Sequence, residues 1–179
     1  MPQLSEQDQE TLLQIARDSV HAYLVNQKLE LPPIPSGDLV EWRGVFVSIH
    51  YGHKLRGCVG TIDPVGPLYQ NVAGCAVAAA SRDSRFKPLQ LSEMPAVEFE
   101  ISVLSPIEEV SDPGTIEVGT HGLIVSRGNA RGLLLPQVAV QHQWDRDQFL
   151  AETCRKAGLP PTAWKQGATV YRFTAEVFP

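Results

Sequence analysis

Arg56, Gly57 and Cys58 stand together in KLRGCVGTIDP at 54 to 64, between apolar residues and just after the turn-like YGHK. A thiolate, not a thiol, is the nucleophile, and a neighbouring cation favours it. On a strand, residues two apart project from one face, so Arg56 and Cys58 are predicted to sit side by side. Gly57 leaves the opposite face bare, which lets a ligand or another backbone come close. A cysteine nucleophile also needs a base, usually histidine, delivered by the fold. The chain has five histidines, His21, His50, His53, His121 and His142. His121 heads a second hairpin-like segment, and it is the candidate partner of Cys58 if the two hairpins face each other. The same residues also fit a plain sheet cysteine with Arg56 paired to a carboxylate, since buried free cysteine is common.

SRDSRFKP at 81 to 88 adds Asp83 and Arg85 at a helix exit. Arginine forks match carboxylate or phosphate, so this segment suits an anionic substrate group. The plainer and preferred account is a solvated helix end, where cations meet the negative pole of the helix. Asp83 is also a candidate to hold Arg56. Glu98 and Glu100 share one strand face, as a carboxylate pair or as the wet side of a sheet. His50 and His53 lack a third ligand at a telling spacing, so no metal site is expected. No P-loop or dinucleotide fingerprint is present.

Composition narrows the classes. The chain has 179 residues, 43% hydrophobic and 20% charged, with a formal net charge of -5. That reads as an ordinary globular protein, whose chain of this size buries roughly 70% of its unfolded surface. Without a broad basic field, nucleic acid and anionic membranes are not expected partners. The polar, acidic start MPQLSEQDQE does not look like a secretory signal, and no apolar run approaches a membrane span. Three cysteines without a CxxC spacing, Cys58, Cys75 and Cys154, fit a reducing cytoplasm.

The elements that must position these groups are readable. Leu4, Ser5 and Asp8 resemble a helix start, and apolar residues at helical spacing predict a helix over about 6 to 27, ended by LPPIPSG. GVFVSIH and KLRGCVGTI flank YG as a hairpin. Pro67 opens a second helix rich in small residues, where Gly74 is expected to allow close packing. VEFEISVL at 97 to 104 alternates as a half-buried strand. HGLIVSRGNARGLLLPQ at 121 to 137 reads as strand, turn, strand; Asp145 with Gln148 starts a helix that Gly158 stops. TVYRFTAEVF reads as one closing strand.

VFVSIHYGHKLRGCVG and LIVSRGNARGLLLP share an order: strand, glycine-bearing turn, Arg-Gly, strand, then a helix. Arg131-Gly132 thus answers Arg56-Gly57, which suggests a duplicated hairpin and helix unit. The expected fold class is α+β with a mostly antiparallel, barrel-like sheet built from two such units and the helices packed outside. The chain is read as one domain over 1 to 179, or as two lobes at about 1 to 110 and 111 to 179 around a cleft.

LRGCVG, PLYQNVAGCAVAAASRDSRF, EFEISVL, HGLIVSRG, GLLLPQVAV, WDRDQFLAETCRKAGLPPTAW and VYRFTAEVF together resemble, in order and spacing, the AMMECR-type domain family, over roughly residues 10 to 178. That family includes AmmeMemoRadiSam system protein A. The resemblance implies a cytoplasmic α+β domain whose two units share one barrel-like sheet. It also implies a cleft near LRGC and a pathway with Memo-like and radical-SAM proteins as partners. It supplies no reaction and no cofactor. Arg56, Gly57, Cys58 and Gly60 match the family pattern as they stand. Asp83-Ser84-Arg85-Phe86 replaces a frequent Asp-Pro-Arg-Phe, Gln141 a frequent Glu, and His121 stands where some relatives carry Asp. The expected site is therefore Cys58 and His121 for catalysis, with Arg56, Gly57, Gly60, Asp83, Arg85 and Gln137 for substrate. Two functions are carried forward: an enzyme centred on Cys58, or a non-catalytic binding or accessory module for a small anionic ligand or a partner protein.

Overall fold

The computed structural model describes residues 3–34 and 37–179. In chain order it runs α1 (Glu6–Leu24), β1 (Val45–Tyr51), β2 (Lys54–Thr61), α2 (Leu68–Ser81), β3 (Val97–Leu104), β4 (Glu108–Glu109), β5 (Gly122–Arg127), β6 (Ala130–Leu134), α3 (Pro136–Gln141), α4 (Arg146–Lys156), β7 (Thr169–Phe173) and β8 (Ala175–Phe178). Short 3-10 turns lie between some of these elements. The first two residues of the supposed non-secretory start, and Pro35 and Ser36 of the helix-ending LPPIPSG, lie outside the described residues. The class is α+β. The barrel-like sheet expected from the sequence is instead two open four-stranded sheets, ordered β2-β1-β3-β8 and β4-β7-β5-β6.

The chain divides into two compact units. The first runs as far as Leu104 and resumes with Glu176–Pro179. Its α1 begins where the sequence indicates: the Ser5 hydroxyl accepts from the Asp8 N–H at 3.1 Å, and Leu4 is buried beside it. Leu12, Ile15, Ala16 and Val20 form the inward stripe of α1. They meet one face of the sheet, where Val45, Val47 and Ile49 of β1 lie beside Val97, Phe99, Ile101 and Val103 of β3. The alternation of β3 holds through Glu100, and then every residue from Ile101 to Leu104 is buried, Ser102 included.

Helix α2 packs on β1, β2 and α1 through Val72, Ala73, Ala76, Ala79 and Ala80. The close approach is permitted from the strand side. A Cβ on Gly57 would stand 2.2 Å from the Ala79 carbonyl oxygen. Gly74, which the sequence suggested for this role, is instead exposed, with nothing within 4 Å of where its Cβ would be. Gly74→Ala is therefore expected to stabilise the fold by about 0.5–1 kcal/mol, because it removes only a helix-interior glycine. An unchanged or lower urea midpoint would refute this.

The second unit is Ser105–Ala175. Here β5 pairs with β6 and β7, and α4 lies on β5 and β6. Asp145 caps α4 as expected: its carboxylate accepts from the Gln148 N–H at 2.8 Å, and the Gln148 side chain accepts from the Asp145 N–H at 3.0 Å. Gly132 of β6 meets the end of α4, since a Cβ there would lie 2.3 Å from the Ala157 nitrogen.

The single closing strand read from TVYRFTAEVF divides at Thr174: β7 joins the second sheet and β8 the first. At the break, Thr174 exchanges hydrogen bonds with Ser105, donating to its hydroxyl and accepting from its N–H, both at 2.9 Å. Local bonding thus interrupts a pattern that looks continuous in sequence. Among the described residues no helix is long and apolar enough to cross a membrane.

Candidate functional site

Of the residues singled out in the sequence, Arg56, Gly57, Cys58, Gly60, Asp83 and Arg85 lie in the first unit, and His121 and Gln137 in the second. The first group is organised by β2, which ends its sheet. Cys58 opposes Ser48 of β1, and the Cys58 N–H donates outward to the Asp83 carboxylate at 2.9 Å. A residue whose N–H points outward forms a non-hydrogen-bonded cross-strand pair, the arrangement in which facing side chains approach most closely. Accordingly the Ser48 hydroxyl donates to the Cys58 sulfur at 3.2 Å. The thiol is half-buried on the sheet face that α1 and α2 leave uncovered.

Arg56 does not take the position expected beside the thiol. His50 pairs with Leu55 and Ile49 with Gly57, so Arg56 is an extra residue with no cross-strand partner. Such a bulge breaks the two-residue alternation and redirects a side chain. The Arg56 guanidinium grips Glu93 with two bonds, at 2.9 and 3.0 Å, and also donates to the carbonyls of Lys87 and Pro88. Glu93 in turn accepts from the Gln90 N–H at 2.8 Å, and Arg56 holds its carboxyl below the usual range. Arg56 is thus the clamp that fastens β2 to the 87–93 segment, and the carboxylate it pairs with is Glu93 and not Asp83.

Arg85 is linked to Cys58 through Asp83, the carboxylate that accepts from the Cys58 N–H. Its fork holds both oxygens of Asp83, at 3.0 and 2.7 Å, while its own N–H donates to the same carboxylate at 3.1 Å. The Asp83 side chain is 6% exposed and that of Arg85 57%, so the carboxylate is sealed and the guanidinium is wet on one side. Arg85 is the leading cause that holds the Asp83 carboxyl far below the usual carboxylate range; the Cys58 N–H adds to this, and burial opposes it. The Phe86 ring lies under the guanidinium at 5.4 Å.

Gly57 faces α2, as described, and Gly60 makes room for an aromatic ring: a Cβ there would meet Phe46 at 2.3 Å. All three cysteines are free. Burial first, and then the nearby Cys58, push the Cys75 thiol up to about 11. Burial raises the Cys154 thiol as well.

In the second unit, His121 precedes β5, and its Nδ1 accepts from the Glu117 N–H at 2.9 Å. Burial, followed by the charge of Arg172, lowers its pKa. Gln137 is half-buried at the start of α3.

Register adds Ser48, which the sequence did not single out, and joins it to His50, Glu98 and Glu100, which the sequence named separately. Ser48 stands between Cys58 of β2 and Glu100 of β3, and His50 stands opposite Glu98. His50 Nε2 is shielded from water without a hydrogen-bond partner, 4.0 Å from a Glu100 oxygen. One sheet face therefore carries a thiol, a hydroxyl, an imidazole and two carboxylates. Among the described residues no three of His, Cys, Asp or Glu are grouped to hold a metal ion.

These features define an α+β protein of two antiparallel sheets, with a cysteine on an edge strand paired to a serine on the strand beside it. The family model described as AMMECR1 matches residues 13–178, so the chain belongs to the AMMECR1 family. A protein of Methanothermobacter thermautotrophicus is 44% identical over 183 residues, covering 98% of this chain and 95% of its own. A Pyrococcus furiosus protein is also 44% identical, covering 94% of this chain and 86% of its own. The crystal structure of an uncharacterised protein from Pyrococcus horikoshii superposes with a TM-score of 0.90 at 40% identity, over 97% of this chain and 92% of that one.

Proposed function

We propose that the first unit carries a thiol-dependent site, in which Cys58 is the nucleophile or covalent carrier for a small electrophile and Arg85 receives an anionic group on it. The observation that carries this reading is the Ser48 hydroxyl donating to the half-exposed Cys58 sulfur. That bond fixes the sulfur on the sheet face, and Arg85 is held nearby by the same carboxylate that accepts from the Cys58 N–H. Asp83 supports the reading by fixing the strand and anchoring the arginine together.

Alkylation tests it. In the native protein near neutral pH, iodoacetamide is expected to label Cys58 alone, because Cys75 and Cys154 are buried and their thiols raised. Unfolding should release the other two. The anionic reagent iodoacetate should gain on iodoacetamide relative to a free thiol, and Arg85→Gln should remove that gain. If Cys58 labels no faster than the buried pair, the thiol reading fails.

One observation favours the accessory-module reading instead: the exposed Arg85 guanidinium on the Phe86 ring can hold an anion without any thiol chemistry. Under that reading Cys58→Ala preserves binding and cellular activity. The Memo-like and radical-SAM proteins implied by the family resemblance are the partners to seek by co-purification, in the cytoplasm where we place the protein. We also read the two units as copies of one element. The parallel contacts of Gly57 with Ala79 and Gly132 with Ala157, and the matching place of each hairpin at one end of its sheet, support that reading.

A further inference from the structure

We infer that His50 is the proton-transfer residue of the Cys58 site, with Glu100 as the carboxylate that positions it. The inference rests on the reading of Cys58 as a nucleophile.

The argument begins with register. Ser48 and His50 alternate on β1 and share the face opposite α1 and α2, and Cys58 opposes Ser48. His50 and Cys58 are thus diagonal neighbours, a relation of roughly 7–8 Å between backbones that long and aromatic side chains bridge. Glu100, opposite Ser48 on the other flank, is the diagonal neighbour of His50 on β3. The three residues form a continuous patch with Ser48 at its centre.

The state of the imidazole is the second step. An unpaired polar atom removed from water is costly, so His50 Nε2 needs a partner. The nearest carboxylate oxygen, on Glu100, is 4.0 Å away, and the two side chains are 29% and 36% exposed, so both have room to close that gap. A carboxylate accepts only. It therefore selects the tautomer with hydrogen on Nε2 and leaves the Nδ1 lone pair free. This gives a base oriented by a third group beside a nucleophile, the general requirement for an activated thiol.

The step balances within these groups. The Cys58 thiol passes its proton to His50 Nδ1, directly or through one water, as the sulfur forms its bond to the electrophilic carbon. The leaving group departs with the electron pair of its broken bond and takes that proton from His50. No oxidant or reductant enters. The ionisable groups on the elements packed against His50 are Glu98 and Glu100 of β3 and Lys54, Arg56 and Cys58 of β2, with His53 in the hairpin turn.

The test uses the full chain and iodoacetamide, with the rate at Cys58 followed by mass spectrometry from pH 5 to 9. His50→Gln should slow labelling near neutrality by at least about tenfold and simplify the dependence of rate on pH. Glu100→Gln should change that dependence in the same sense with a smaller loss of rate, and circular dichroism should show both variants folded. If His50→Gln labels as wild type does, or slows with a profile of unchanged shape, the inference is overturned while the nucleophile reading stands. An unchanged Glu100→Gln profile removes Glu100 from its positioning role. Absence of preferential labelling at Cys58 in the wild type removes both readings.

Discussion

Gly57→Ala is expected to destabilise the first unit by about 3 kcal/mol, the upper end of what overpacking costs. The added methyl would stand 2.2 Å from the Ala79 carbonyl oxygen and 3.1 Å from its carbon. Those atoms are helix backbone and cannot rotate aside as a side chain does. Relief requires α2 to lift from the sheet, which loosens Val72, Ala76 and Ala79 against Val47 and Ile49. Gly132→Ala should behave alike, against the Ala157 nitrogen. Urea unfolding reads both losses, with Gly74→Ala as the internal control of opposite sign. A loss below about 1 kcal/mol for Gly57→Ala would show that the contact relaxes cheaply.

The second large effect falls on Asp83. Asp83→Asn removes the charge that holds Arg85 and weakens the acceptor of the Cys58 N–H, at an expected cost of about 2 kcal/mol near neutral pH. The figure is kept low because Arg85 is 57% exposed and water compensates it in part. The pH dependence has a definite sign. The folded carboxyl is depressed, so the unfolded chain binds the proton more readily, and stability due to Asp83 is complete above its unfolded pKa of about 3.9. As pH falls from there toward the lower folded value, that stability drains away. The gap in thermal midpoint between wild type and Asp83→Asn should therefore be full at pH 7 and visibly smaller at pH 3. Glu93 shifts in the same direction through Arg56, but both proteins retain it, so the difference isolates Asp83. A gap that widened on acidification would contradict this account.

What could be read from the sequence was what is written locally. Ser5 and Asp145 cap their helices, the hairpin forms but turns at Gly52 and His53, one residue past the YG read from the sequence, and β3 alternates as far as Glu100, because each signal lies within a few residues of its effect. Cys58, Asp83 and Arg85 were recognisable as chemical groups, but their linkage through one carboxylate crosses 25 residues of chain and needed the fold. The destination of Arg56 was hidden for a sharper reason. One extra residue in β2 overturns the face assignment that strict alternation gives, and its partner Glu93 lies 37 residues away. Ser48 carried no motif, and although His50 and Glu100 were named as separate groups, their meeting was hidden by register, because only the pairing of β1 with β2 and β3 brings them beside Cys58. The closing strand looked single because alternation cannot register a hydrogen-bonded break at Thr174.

The Asp83 carboxylate has one more consequence, for behaviour in crowded solution. A strand at the end of a sheet offers unpaired N–H groups to any stray strand, and that is how folded proteins begin to stack into insoluble fibres. On β2 the outward N–H at Cys58 is already taken, by a side chain that bears a negative charge and is itself locked by Arg85. The same bond that fixes the cysteine thus works as a stopper on the edge of the sheet, so Asp83 also withholds one of the hydrogen bonds by which a second copy of the chain would zip onto the first.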